Sequence, residues 1–235
     1  MARGAYLLNL GTVDYVEAWD LQRSLAAAVS QGAVPDTVLL LEHPPTVTLG
    51  RRTDPGEVHI PDGAEVAVVE TDRGGRSTYH GPGQLVCYPI LDLKRHGKDV
   101  KKFCRDLEEA VVQTLAAFGL VGERIDGLTG VWLMPPPRKI ASIGVHLSRW
   151  VSTHGYALNV DLDPAPFTDW ITACGLEDAT FTSMARELAR PLTVDDVRPA
   201  ARNAIADVFS LTLEKLPGGE PGLWPQPLHT QLAAR

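Results

Sequence analysis

Three cysteines are the chain's candidate sulfur nucleophiles, and their settings separate them. Cys87 sits inside "QLVCYPI" and Cys104 on the apolar stripe of a helix pattern, settings in which a thiol usually serves as a small buried hydrophobe. Cys174 lies in "WITACGLED", at the end of a short helical pattern, with Gly175 behind it to permit a turn that leaves a sulfur accessible. Their spacings match neither a disulfide framework nor a zinc ligand set. No metal and no cofactor is expected.

A cysteine nucleophile works as its thiolate. With a free pKa of roughly 8.5, little is ionised at neutral pH, so a neighbour must take or stabilise the proton. His80, His154 and Lys139 are candidates. Lys139 follows three prolines in "MPPPRKIASIGVHL". If the segment from Lys139 is a strand, Lys139 shares a face with Ala141, Ile143, Val145 and Leu147, and Ile140, Ser142, Gly144 and His146 share the other. An ammonium at the head of an apolar face either snorkels out to water or is partly desolvated and becomes able to act as a base.

The segment "TDRGGRSTYHGPGQLVCYPI", 71–90, sets Gly74, Gly75, Gly81 and Gly83 among Arg73, Arg76, Tyr79 and His80. Paired glycines clear side chains from a stretch of backbone, so the segment can lay its amides against a ligand or can simply turn. It lacks the spacing of a phosphate loop, and no G-x-G-x-x-G occurs in the chain.

These residues need elements to hold them. Short β-type runs are expected at "AYLLNL", "TVLLLEH", "TVTLG", "EVAVVET" and "QLVCYPI". A helix is expected through about Gln31, capped by Thr12 or Asp14, with Tyr15, Ala18, Trp19, Gln22, Leu25, Ala26 and Val29 on one face. A second runs from about Asp99 to Phe118 and ends at Gly119. "GVWLM", "KIASIGVHL" and "VSTHGYALNV" read as strands, the last two a hairpin about Arg149 and Trp150. Short helical material covers about 167–174. A last helix starts near Thr193, with Asp196 at capping-box spacing and Pro199 either kinking it or shifting its start. The result is an α+β fold, a mixed sheet with flanking helices. One catalytic domain is expected over 1–214, then a Pro- and Gly-rich tail over 215–235, either loose or pinned by Trp224.

The 235 residues carry a formal charge of −7, which disfavours bulk nucleic-acid binding. Lys94, Arg95, Lys98, Lys101 and Lys102 reverse that sign locally, either as a docking patch for an acidic partner or as a solvated helix entrance. No apolar run reaches the roughly 20 residues that span a bilayer, and the start is too weakly apolar for a secretory signal. A cytoplasmic protein without membrane attachment is expected.

"LEHPPTVTLG", "RGGRSTYHGPGQLVCYPI", "RKIASIGV", "THGYALNV" and "ACGL" occur in one order over roughly 40–176. Together they resemble the lipoyl(octanoyl) transferase family, octanoyl-[acyl-carrier-protein]:protein N-octanoyltransferases within the biotin and lipoate protein ligase catalytic-domain superfamily. The resemblance implies that fold and octanoyl transfer from octanoyl-acyl carrier protein to a lysine of a lipoyl domain, for lipoate biosynthesis. The implied acceptors are lipoyl domains of 2-oxoacid dehydrogenase complexes and the glycine cleavage H protein. It implies that Cys174 accepts the acyl group and Lys139 activates it. It further implies substrate binding by Arg73, Gly74, Gly75 and Arg76, by Ser77, Thr78, Tyr79 and His80, by Ser142, Ile143 and Gly144, and by Gly155, Tyr156 and Ala157. Ala173 and Tyr156 depart from the family's frequent proline and leucine. Three rivals stay open: an ATP-dependent ligase of the same fold, a cysteine thioesterase, and a non-catalytic acyl- or carrier-binding module.

Overall fold

The computed structural model of the chain describes residues 2–171 and 180–215. The order is β1 (Arg3–Thr12), α1 (Tyr15–Ser30), β2 (Asp36–Glu42), β3 (Thr46–Leu49), β4 (Ala67–Glu70), β5 (Thr78–His80), β6 (Gln84–Ile90) and α2 (Val100–Ala116). After these come β7 (Val131–Leu133), β8 (Arg138–Ser148), β9 (Val151–Asn159), α3 (Pro166–Asp169), β10 (Thr180–Phe181), α4 (Met184–Leu188), α5 (Val194–Phe209) and β11 (Leu211–Lys215).

The main sheet runs β10-β8-β9-β6-β2-β1-β11, with β7 also paired to β8. Pairing is parallel at β1–β2, β1–β11 and β8–β10 and antiparallel from β2 through β6 and β9 to β8, which makes the mixed sheet expected. The uninterrupted apolar run of β2 follows from burial on both faces. Val38 and Leu40 pack with Phe103, Leu107 and Val111 of α2 and Val197, Ala201 and Ile205 of α5. Leu39 and Leu41 pack with Leu21 and Leu25 of α1. A second sheet, β4-β3-β5, is joined to α3 by a smaller cluster of Val47, Tyr79, Phe167 and Ile171.

The helix ends follow the sequence. Asp14 accepts from the amides of Val16 and Glu17, which caps α1, and Gly119 closes the turn after α2 with φ 80°. Thr193 and Asp196 form both bonds of a capping box, so α5 begins there and Pro199 falls within the helix. Arg149 and Trp150 have φ of 50° and 72°, the backbone of a two-residue hairpin turn between β8 and β9. Of the short helical stretch expected at 167–174, Pro166–Asp169 is helical and 172–174 lie outside the described residues. Residues 216–235, with Trp224, lie outside them too.

Among the described residues no helix is long and apolar enough to cross a membrane. No cluster of three or more His, Cys, Asp or Glu is placed to hold a metal ion there either.

Candidate active site

A cavity of about 180 Å³ opens where the middle of the β8–β9 hairpin meets the loop before β5, far more than the roughly 10–15 Å³ that one water requires. Its wall combines two kinds of surface. Leu128, Ile143, Gly144, Gly155 and Ala157 offer apolar or bare backbone, while Tyr15, Arg73, His80, Tyr88 and Lys139 carry polar atoms.

Two glycines face each other across the hairpin, one leaving room for the loop and the other for the main chain of β6. Gly144 pairs with Gly155. A Cβ on Gly144 would stand 3.0 Å from the Gly74 carbonyl, and one on Gly155 would collide with the Cys87 carbonyl. The loop is then fastened from within by Arg73, whose side chain is buried. Its Nη2 donates to the Thr48 carbonyl at 2.7 Å and to Thr48 Oγ1 at 2.8 Å, and Nε donates to the same oxygen at 3.1 Å. Nη1 donates to the Arg76 carbonyl at 2.7 Å and the Gly74 carbonyl at 3.2 Å. One guanidinium thereby ties β3 to both ends of the turn, through a planar fork that lysine cannot reproduce.

Lys139 is only 2% exposed, so the lysine at the head of an apolar face points inward rather than snorkelling out. Its Nζ stands 5.2 Å from the centre of the Trp132 ring, within cation–π range. Gly130 leaves the room: a Cβ there would lie 2.7 Å from Lys139 Cε. The carbonyl of Lys139 accepts from the Thr182 amide at 3.0 Å, and β10, where the described chain resumes after 172–179, pairs with Arg138 and Lys139. Cys174 itself, with Ala173 and Gly175, lies outside the described residues.

Behind the cavity is a buried array of rings. Tyr15 stacks on His80 at 5.6 Å and meets His43 at 4.9 Å. His43 Nδ1 donates to the Val13 carbonyl at 2.7 Å, which leaves Nε2 to accept from the Tyr88 hydroxyl at 2.8 Å. His154 takes φ 58°, unusual for a side-chain-bearing residue, and is held at three points. Its amide donates to Gln22 Oε1 at 2.6 Å, its Nε2 to Asp72 Oδ1 at 2.7 Å, and its Nδ1 accepts from the Tyr15 hydroxyl at 3.3 Å. That accounts for Gln22, the polar residue on the buried face of α1.

The family and the fold are shown by comparison with known proteins. A family model described as the lipoyl protein ligase A/B catalytic domain matches residues 14–206. The chain belongs to that family. A Chloroflexus aurantiacus octanoyltransferase is 51% identical over 208 residues, covering 86% of this chain and 92% of that protein. A Mycobacterium tuberculosis octanoyltransferase is 53% identical over 199 residues, 84% of each. In fold, the chain resembles a bi-partite lipoate protein ligase from Thermoplasma acidophilum with TM-score 0.73 at 17% identity, over 93% of this chain and 88% of that one. It also resembles the biotin protein ligase of Aquifex aeolicus with TM-score 0.54 at 14% identity, over 87% and 70%. The expected ligase-like fold is therefore found.

Within this lipoyl protein ligase A/B domain, most of the expected binding residues converge. Gly75, Arg76, Ser77, Thr78 and His80 line the cavity, as do Ser142, Ile143, Gly144, Gly155, Tyr156 and Ala157. Gly74 and Tyr79 do not. Gly74 bonds through its amide to the Val145 carbonyl at 2.9 Å, and Tyr79 packs edge-on against Phe167 and Trp170. Arg73 reaches the wall and donates to the carbonyls of Thr48, Gly74 and Arg76 and to the Thr48 hydroxyl. Sequence reasoning missed Tyr15, Tyr88, Trp132 and the 127–129 stretch on the wall, and His43 behind it. Tyr15 and Tyr88 were concealed inside apolar patterns. Burial pushes the Cys87 and Cys104 thiols up, against service as nucleophiles.

The ring array has a measurable consequence. Burial lowers His43 from its usual 6.5 to about 4, so the folded state keeps it neutral where the unfolded chain protonates it. Its contribution to stability is complete above about pH 6.5 and is lost as pH falls toward 4. Between pH 7 and pH 5 the loss is about 2 kcal/mol from this group. Urea denaturation at the two pH values should show a smaller difference in His43→Gln than in the wild-type chain.

Proposed function

We propose that the chain is an octanoyltransferase working through a cysteine thioester. Octanoyl-acyl carrier protein is the donor, and the acceptor is the lysine side chain of lipoyl domains, those of 2-oxoacid dehydrogenase complexes and the glycine cleavage H protein. The observation that carries this reading is the burial of Lys139 in the cavity wall, on the strand paired with the one that follows Cys174 in the chain. The names of relatives about half identical agree with it.

In the first half-reaction Lys139 takes the proton of Cys174 Sγ. The thiolate attacks the donor's carbonyl carbon, the bond to the carrier's sulfur breaks, and the carrier leaves as its thiol with one proton. In the second, the acceptor amine attacks the new thioester, the carbon–Sγ bond breaks, and one amine proton passes to Sγ through Lys139. The thioester is already activated, so the transfer needs no ATP. The apolar wall at Leu128, Ile143 and Ala157 suits an alkyl chain.

Acceptor and donor choice separate this reading from its rivals. Octanoyl carrier with a lipoyl domain should give the octanoylated domain. Product from free octanoate and ATP instead would make the chain an adenylating ligase. Release of octanoate at a comparable rate without acceptor would make it a thioesterase, and no turnover from any mixture a binding module.

Carrier docking is assigned to the loop that leads into α2 and to its first turn. Arg95 is paired to Asp36 and Asp92, and Lys102 to Asp106, whereas Lys94, Lys98 and Lys101 are exposed and form no ion pair among the described residues. Reversing those three charges should raise the apparent KM for the carrier and weaken its salt dependence, measured by steady-state kinetics at two ionic strengths. An unchanged KM would leave the patch a solvated surface.

A further inference from the structure

His80 is buried in the cavity wall, and its protonation pattern is fixed by a chain of hydrogen bonds that starts at a main-chain carbonyl. The Thr182 carbonyl can only accept, so the atom of Asn159 facing it at 3.0 Å is the amide nitrogen. Asn159 Oδ1 then accepts from Gln84 Nε2 at 2.9 Å, and that nitrogen also faces the Tyr79 carbonyl at 3.3 Å. Gln84 Oε1 is left to face His80 Nδ1 at 2.7 Å, and the ring nitrogen must be the donor. The proton of a neutral His80 is therefore on Nδ1, and Nε2 keeps a lone pair. Burial, and after it the neighbouring His43 and Arg73, hold His80 well below its usual pKa, so Nε2 stays unprotonated at neutral pH.

The hydrogen bond that the His80 ring makes among the described residues is the one through Nδ1, and Nε2 is left for a ligand. What Nε2 needs is an N–H or O–H donor. The cavity wall presents the guanidinium groups of Arg52, Arg73 and Arg76, the last of them paired to Glu57, and, among the described residues, no Asp or Glu on the wall itself. Such a wall disfavours an ammonium ion and admits an amine in neutral form. A neutral amine attacking a carbonyl carbon points its lone pair at carbon and has two hydrogens to place. One leaves with the developing charge; the other stays in the product amide.

We propose that His80 Nε2 accepts the hydrogen that stays, and so orients the acceptor lysine's neutral amine toward the thioester, while Lys139 carries away the one that leaves. This rests on the octanoyl-transfer reading. No net proton moves to His80. The C–N bond forms, the C–Sγ bond breaks, and the departing proton ends on Sγ.

A matched pair of ligands tests it. N-butyloctanamide carries the retained N–H, and S-butyl octanethioate has the same shape without it. With ¹⁵N-histidine-labelled Cys174→Ala protein, His80 should show a protonated Nδ1 and a bare Nε2. The amide should move the Nε2 resonance toward the hydrogen-bonded range, and the thioester should leave it in place. A proton found on Nε2, or the same response to both ligands, overturns the proposal and leaves the octanoyl reading standing. If neither ligand perturbs any cavity resonance, the octanoyl reading itself fails and the proposal with it. In the catalytically intact chain, His80→Phe should slow transfer from acyl-enzyme to amine roughly tenfold more than it slows acylation. Equal slowing of both steps would mean that the ring only supports the cavity.

Discussion

Replacing Lys139 by methionine is expected to lower kcat/KM for octanoyl transfer by about 10²–10⁴, the usual range for losing a positioned proton-transfer group. Methionine keeps much of the apolar volume, so the wall beside Trp132 stays filled and the fold should hold. Cys174→Ser should cost at least as much, because a hydroxyl in the same place is a far weaker nucleophile. Cys87→Ser and Cys104→Ser provide the contrast and should retain transfer, since those thiols lie in the core and on the flank of α2. Single-turnover assays of all four variants would check this. A Lys139→Met enzyme with wild-type kinetics would remove the lysine from the mechanism.

Arg73→Met is the second change with a large expected effect, and it acts through architecture. The guanidinium satisfies the carbonyls of Thr48, Gly74 and Arg76 and the Thr48 hydroxyl from a buried position. Methionine leaves them without that donor, at a cost of about 3 kcal/mol in unfolding free energy. The turn that lines the cavity loosens as well, so transfer should fall beyond what the stability loss explains. Arg73→Lys should recover little of either, because an ammonium cannot reach four acceptors in one plane. Equilibrium denaturation and transfer rates on the same samples check both effects, and a lysine variant close to wild type would contradict the staple.

Several elements were legible in the sequence because local chemistry dictates them. The capping box at Thr193, the Asp14 cap and the turn at Arg149 and Trp150 each sit where a few neighbouring residues fix the backbone. β5, β10 and β11 were not anticipated: the first two have three and two residues, and β11 is five residues with only Leu211 and Leu213 buried. Their strand character comes from partners distant in sequence. The buried face of α1 was legible in part: Leu21 and Ala28 belong to it and widen the stripe, while Trp19 and Ala26, expected on it, are only partly buried. Arg73 and His80 show the limit at the site. An arginine beside two glycines reads alike whether it grips a substrate or its own main chain. The proton on His80 depends on Gln84, Asn159 and the Thr182 carbonyl, a relation that exists only after β5, β6, β9 and β10 have assembled.

Cys174 and Lys139 are proposed to act together, and intact-protein mass spectrometry after mixing with octanoyl-acyl carrier protein tests that directly. The predicted result is a single octanoyl adduct that maps to Cys174, disappears when a lipoyl domain is added as the domain gains one octanoyl group, and forms far more slowly in Lys139→Met. Octanoylated lipoyl domain produced at full rate by Cys174→Ala, or an adduct on another residue that is chased to product, would contradict it.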